Sequence, residues 1–380
     1  MKRVFSSYYF IFFVAMAATQ PFLSLYLHDR GISSEHIGFI LACGNGAGIL
    51  IQPLLGHLND VVQDSRRLLF FSAVLSPIVF AGYAISSNTL VLVCVAVLFA
   101  VVQSSAPLAD AMAVHEAKRS SFTYGQVRLW GALSFALTTM VAGYVYHLAG
   151  ISWAFGIYAL FSILLATISL KLPKSSASRR SSDAFWTGLW NVSKNARLLV
   201  FIVICFFVAS ALTVNATYLP LYFQALHHPM ALVGLNFTVA AFTEVPLFYL
   251  SGRWMERFGK MPILVLATAT LAVKYAVMAM NPPTAVILSI QVLEGIGYAL
   301  YWSAAVQVVS DLAPSERSGT AQTLYAAIAS SLSGIVGTSV GGLLFAQFGP
   351  LLTYAIMASS VLVALAGFIA FARFGMRQAW

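Results

Sequence analysis

The sequence predicts an all-α membrane protein of twelve transmembrane helices, arranged as two six-helix bundles related by pseudo-two-fold symmetry. Three observations predict it. The 380-residue chain is 60% hydrophobic and only 9% charged, with a mean hydropathy of +0.85. A soluble domain carries about a quarter charged residues because its surface must face water, so the missing solvent here is lipid. Apolar stretches able to cross a ~30 Å hydrocarbon core recur along the whole chain. Finally, one loop pattern occurs twice, about half a chain apart.

Taken in order, the first span covers about 4–27. It follows Lys2 and Arg3, and its run ending Ala15-Met16-Ala17 mimics a cleaved signal peptide. The apolar run continues well past that point, so the segment is expected to remain as a span. Further spans at about 36–56, 68–86, 89–114, 122–148 and 151–171 complete a first bundle over 1–171. A Ser-rich, basic cytoplasmic linker follows at 172–196. Its Phe185, Trp186, Leu189 and Trp190 have helical spacing and suit either the headgroup layer or a flexible tether. The second bundle, 197–380, holds spans at about 197–225, 231–251, 262–280, 284–310, 318–346 and 349–372.

Charge placement tests this topology independently. Of the 21 Lys and Arg, 18 fall on the side that holds both termini, Arg30 stands alone on the other, and Arg128 and Lys274 lie within spans. That asymmetry predicts cytoplasmic termini and a multi-pass protein of the cell's inner membrane. It also accounts for the net charge of +9 without a nucleic-acid partner. Cys43, Cys94 and Cys205 all sit in apolar runs, with neither a disulfide framework nor metal spacing. No metal and no organic cofactor are expected, and the chain is expected to act as a monomer.

The repeated loop reads Gly56-His57-Leu58-Asn59-Asp60, with Arg66 and Arg67 beyond, and again Gly252-Arg253-Trp254-Met255-Glu256-Arg257-Phe258-Gly259-Lys260. In each copy a glycine precedes an acid by four residues. Glycine permits close helix approach, and an acid at a helix end can hold a neighbouring helix. The copies stand 196 residues apart, so the protein reads as an internal duplication.

Five ionisable residues fall inside spans: Asp110, Arg128, Glu244, Lys274 and Glu294. A charge at a helix centre costs roughly 2.5–3.5 kcal/mol on insertion scales, so it normally faces a partner or a water-filled path. Asp110 and Arg128 lie at matched depth, which suits a static pair as well as a binding site. Glu244, Lys274 and Glu294 set two carboxylates against one ammonium. If they share a dry pocket, one acid is left without a counter-ion and takes up a proton instead. Asn215, Asn236 and Gln291 are among the span residues able to hydrogen-bond a hydroxylated solute.

The repeated loop resembles the signature loop of the major facilitator superfamily, G-x-x-x-D-R-x-G-[KR]. The second copy differs by Glu256 for Asp, and the first lacks the inner glycine. Pro21-Phe22-Leu23-Ser24-Leu25-Tyr26-Leu27-His28-Asp29, Gln52-Pro53-Leu54-Leu55-Gly56 and Tyr124-Gly125-Gln126-Val127-Arg128-Leu129-Trp130-Gly131 resemble the oligosaccharide:proton symporters typified by lactose permease. The last segment is also similar to phenylpropionic acid transporters. The resemblance is strongest over the first 140 residues. It implies a substrate-binding pair at Asp110 and Arg128, an aromatic contact at Phe135, and a substrate contact at Glu244, to which Asn215 is added as a candidate from its polar side chain within a span. It further implies proton coupling through Glu244, Lys274 and Glu294, and a conformational latch at Gly56, Asp60, Gly252, Glu256 and Arg257. The glutamate that carries the proton in lactose permease would align with Gly297, which moves that role to Glu294 or Glu244 here.

The function expected from these readings is proton-coupled symport of a small hydrophilic solute, a mono- or oligosaccharide first, by alternating access. Small aromatic carboxylic acids are the alternative substrate, since Arg128 could clamp a carboxylate. A proton-driven efflux antiporter is disfavoured, because 131–148 lacks the proline typical of span 5 in that group. No nucleophile–base arrangement, metal spacing or phosphate loop supports an enzyme.

Overall fold

The computed structural model describes residues 1–62, 64–103, 106–117, 122, 124–174, 194–229, 231–313 and 318–375, with side chains omitted at 49–50, 52–62, 106–107, 111, 318–319 and 374–375. Among the described residues every regular element is helical. In the first half these are α1 (Lys2–Thr19), a 3-10 turn at Gln20–Phe22, α2 (Leu23–Asp29), α3 (Ser34–Val62), α4 (Ser65–Ile85), α5 (Thr89–Gln103), α6 (Ala106–Ala117), α7 (Tyr124–Ala149) and α8 (Trp153–Ser169). The second half holds α9 (Ala196–Ala225), α10 (Leu232–Phe258), α11 (Lys260–Met278), α12 (Thr284–Leu312), α13 (Ser318–Ala326), a π-helical stretch at Ala327–Leu332, and α14 (Ser333–Ala370).

Nine helical runs among the described residues are long and apolar enough to cross a bilayer. The last of them, Thr320–Arg373, has 54 residues, far more than the ~20 one crossing needs. It is broken at Gly349, whose φ of 74° lies in a region an L side chain resists, and Pro350 restarts the helix behind it. With that break, and with α3 and α8 added, the order of spans agrees with the twelve expected. The outward faces agree with lipid as solvent: α4 exposes Phe71, Leu75, Ile78 and Ile85, a helical row that water would not tolerate uncovered.

The chain divides into two compact units, Met1–Arg179 with Pro229–Ala241, and Arg180–His228 with Phe242–Trp380. The start of α10 groups with the first unit. There α10 approaches α7 through Thr238, whose hydroxyl donates to the Ala136 carbonyl at 2.8 Å. Within the first unit α1 packs on α7 and α8, and α4 on α5 and α8. Phe5, Tyr8, Tyr9, Leu69, Val127 and Leu165 belong to its buried core. In the second unit α9 packs on α14, while α11 packs on both α12 and α14.

Candidate functional site

In the first unit, α1 carries Phe5, Tyr9 and Phe13 at intervals of four, which places them on one helix face. Tyr124 and Arg128 stand in the same relation on α7. The packing of α1 on α7 brings both faces to Asp110 of α6. The Tyr9 hydroxyl donates to Asp110 Oδ1 at 2.6 Å, and the Tyr124 hydroxyl donates to the same oxygen at 3.0 Å. Both donors share that one carboxylate oxygen.

Arg128 forms no ion pair with Asp110; the guanidinium carbon lies 4.0 Å from the centre of the Phe13 ring and 6.0 Å from that of Tyr9. Such a contact stabilises by about 0.5–2 kcal/mol and fixes the plane of the guanidinium. Phe135 reaches the same place, its ring 6.5 Å from that of Phe13. Asp110, Arg128 and the rings of Tyr8, Tyr9, Phe12 and Phe13 border a cavity of about 50 Å³. That is room for a few water molecules or for the polar substituents of a ligand, a single water needing about 10–15 Å³ on this measure. The arrangement offers an acid, a guanidinium and aromatic faces to one small polar space.

The second unit holds a denser cluster. Lys274 is fully buried, and Glu294 and Asn215 are 8% and 4% exposed. Lys274 Nζ donates to Glu294 Oε2 at 2.9 Å and to Asn215 Oδ1 at 3.1 Å. Asn215 Nδ2 donates to Glu294 Oε1 at 3.1 Å, which closes a triangle. Two tyrosines cap it, with Tyr275 donating to Glu294 Oε2 at 3.4 Å and Tyr354 to Asn215 Oδ1 at 3.0 Å. Local sequence explains how α11 and α12 come close enough. Gly297, one turn beyond Glu294, gives up its Cβ position to the side chain of Leu271, and the Ala267 carbonyl lies 3.1 Å from the same point. Position 297 therefore has no room here for any side chain.

One expectation is corrected. Glu244, Lys274 and Glu294 do not share a pocket with two acids against one base. Lys274 and Glu294 form a balanced pair and Asn215 occupies the third corner, while Glu244 is half-buried on α10 and is not among the described partners of Lys274. Two buried charges in a one-to-one pair need no resident proton, so the mismatch argument for coupling does not hold for this cluster.

The side chains of Gly56 and Asp60, and the linker residues Phe185, Trp186, Leu189 and Trp190, lie outside the described residues. Gly252, Glu256 and Arg257 are exposed, and among the described residues Glu256 forms no ion pair. Arg257 lies over Phe258 at 5.2 Å. The loop's last basic residue, Lys260, reaches Asp311 at the end of α12 at 2.5 Å. Sequence reasoning missed Asp64, which receives Arg66 Nε at 3.0 Å and caps α4 through the Arg66 N–H. It also missed Tyr9, Tyr124, Tyr275 and Tyr354. The spacing of four in Phe5-Tyr9-Phe13 and in Tyr124–Arg128 was the signal for the first two. Nothing local marks Tyr354, which is 139 residues from its partner.

Comparison with known proteins gives the chain's family. The model of the MFS_1 like family matches residues 3–356. The chain is 29% identical over 351 residues to the maltose permease of Geobacillus stearothermophilus, covering 91% of this chain and 88% of that one. It is 24% identical over 352 residues to the probable 3-phenylpropionic acid transporter of Escherichia coli, covering 90% of each. The crystal structure of the nucleoside transporter NupG superposes with a TM-score of 0.85 at 15% identity, over 98% of this chain and 99% of that one; at that identity the likeness concerns the fold.

Proposed function

The chain belongs to the MFS_1 like family of membrane transporters, and from that premise we propose that it imports a saccharide, driven by protons, by alternating access. The observation that carries the substrate class is the joint presentation of Asp110 and Arg128 to one cavity, with Asp110 held by two tyrosine hydroxyls. A sugar offers hydroxyls that donate to a carboxylate and accept from a guanidinium, and its apolar face suits an aromatic ring. An aromatic carboxylate would gain from Arg128 but would bring a second negative charge beside Asp110, which is unfavourable in a site of low dielectric. Kinship with a maltose permease points the same way.

For coupling, Glu294 is the candidate proton carrier. Breaking a buried ion pair by neutralising one partner is normally costly because the other charge is stranded. Here Lys274 already touches Asn215 Oδ1, so a protonated Glu294 leaves the ammonium with an acceptor. Two protonation states are thereby accommodated without moving a helix. Both termini on the cytoplasmic side, as the charge asymmetry indicates, complete the reading.

The test is uptake by purified protein in liposomes. Labelled maltose, raffinose and 3-phenylpropionate are supplied with and without an imposed inside-alkaline gradient. Concentrative uptake of a saccharide that collapses with a protonophore is the expected result. Accumulation of the aromatic acid alone would sink the sugar reading, and sugar accumulation indifferent to the gradient would sink the coupling.

A further inference from the structure

One end of the first unit gathers cations that the proposed function does not use. Arg66 Nη1 donates to the Leu172 carbonyl at 3.5 Å, which clasps the start of α4 to the turn that ends α8. Leu172 is itself 1% exposed and shares a buried core with Phe5 and Leu69, so α1, α4 and α8 all meet at this end. Around that core stand Lys2, Arg3, Arg67, Lys171 and Lys174, every one of them exposed. Asp64, the acid in this group, is already engaged. Arg66 binds it through Nε and Nη2, each at 3.0 Å, whereas Arg67 reaches it only at 3.7 Å and keeps 70% of its side chain exposed. Among the described residues Lys2, Arg3, Lys171 and Lys174 form no ion pair.

Apolar surface runs down from these cations on two helices. On α4, Arg67, Phe71, Leu75 and Ile78 follow at helical spacing, so they share one face, and the three apolar members are exposed. From Arg67 to Ile78 is about 16 Å along the helix, roughly half of a ~30 Å hydrocarbon core and so the depth of one leaflet. On α8, Leu160, Ile163, Leu164 and Leu170 are exposed in the same way, and Lys171 and Lys174 follow in the turn behind them. That turn is fixed by the Lys171 N–H, which donates to the Ile168 carbonyl at 2.9 Å, as well as by the Arg66 clasp. Since α4 starts and α8 ends here, and the two helices pack together, both rows carry their cations at one level. A single cation at a helix end is ordinary in a membrane protein. Three of them, on two clasped helices and above two apolar rows one leaflet deep, match the two-chained shape of a lipid.

We propose that this end of the first unit binds an anionic diacyl phospholipid, its phosphate held by Arg67, Lys171 and Lys174 and its two chains laid along the rows of α4 and α8. The chemistry selects the partner. Basic pockets between membrane helices recognise lipid phosphates, and Lys2 and Arg3 add to the attraction without being needed as ligands. A soluble phosphate would meet the cations but leave both rows unused. A zwitterionic lipid would fill the rows but bring a cation of its own to the three already there. The bound lipid ties α4 to α8 as the Arg66 clasp does, and it makes no contact with Asp110 or Arg128, so the inference stands whichever solute is carried.

Native mass spectrometry of the purified protein in detergent, titrated with dioleoyl phosphatidylglycerol or dioleoyl phosphatidylcholine, tests this. The wild type should retain one phosphatidylglycerol where phosphatidylcholine is lost, and glycerol 1-phosphate, which has the phosphate without the chains, should not displace it. One cation at a headgroup is worth about fivefold in affinity. Arg67→Gln, Lys171→Gln and Lys174→Gln should therefore each weaken retention about fivefold, and the triple variant on the order of a hundredfold. Exchanging the cations, as Arg67→Lys with Lys171→Arg and Lys174→Arg, should preserve it. Removing the same charge from the second unit, as Lys194→Gln with Arg197→Gln and Arg373→Gln, should leave it unchanged. Equal retention of the two lipids, displacement by glycerol 1-phosphate, or wild-type affinity in the triple variant each overturns the proposal. So does an equal loss in the second-unit control, which would reduce the cations to a diffuse field. If the triple variant is unstable, the three single variants, each altering one exposed side chain, decide the matter.

Discussion

Lys274 Nζ lies 2.9 Å from Glu294 Oε2, with side-chain exposures of 0% and 11%. A pair so enclosed is held by geometry, because its Coulomb gain must offset the desolvation of two charges. Asn215 bonds to both partners and Tyr275 and Tyr354 close the shell, so the amide rather than a second acid completes the site.

Glu294→Gln keeps the shape and removes the charge. It is expected to abolish uphill accumulation while sparing exchange down a sugar gradient, and to destabilise the protein by only about 1–2 kcal/mol, because Asn215 Oδ1 still accepts from the ammonium. Thermal unfolding in a non-glycosidic detergent reads the second effect. The double variant Glu294→Gln with Lys274→Met should recover much of the stability and none of the accumulation. Recovery of accumulation would remove Glu294 from the coupling step.

Tyr9→Phe and Tyr124→Phe test how Asp110 is held. A hydrogen bond to a charged group contributes about 1.5–3 kcal/mol, and the two hydroxyls share one oxygen, so the first loss is partly covered by the second donor. Each single variant should raise half-saturation for sugar a few-fold, and the double variant by more than the product of the two. Multiplicative effects would mean that the tyrosines act independently of the shared carboxylate.

Much of the fold was legible because lipid imposes it. Span lengths and the all-helical build follow from a ~30 Å layer that cannot hydrogen-bond a backbone. Asp110, Arg128, Lys274 and Glu294 were visible for the same reason, each being a charge where charges are costly. Their partners were not. Tyr354 meets Asn215 across 139 residues, and Tyr9 meets Asp110 across 101, contacts set by helix packing that no local pattern encodes.

Gly297 tests the packing beneath the pair. A Cβ there would collide with the side chain of Leu271 and sit 3.1 Å from the Ala267 carbonyl, so α11 and α12 must part to admit it. Gly297→Ala should destabilise by about 1–3 kcal/mol, as overpacking does, and should reduce concentrative uptake because Lys274 and Glu294 lose registry. Leu271→Ala in the same chain makes room and should restore most of both. A Gly297→Ala protein as stable as wild type would show that the two helices are less tightly joined than their geometry indicates.

Asp64 provides a pH test away from the membrane core. Hydrogen bonding to Arg66, aided by the nearby charges of Arg66 and Arg67, holds its carboxyl below the usual carboxylate range. A carboxyl depressed in the folded state contributes stability that is complete above its unfolded value, near 3.9, and that is lost as pH falls through the folded value. Asp64→Asn retains an amide oxygen able to cap α4 but loses the ion pairs, so at pH 7 it should cost about 0.5–1 kcal/mol. The gap between wild type and variant should stay constant from pH 8 to about 5 and narrow below about 4 as Asp64 takes up a proton. Thermal unfolding of both proteins across that range gives the comparison, and a gap that widened on acidification would contradict the assigned role of the Arg66 pair.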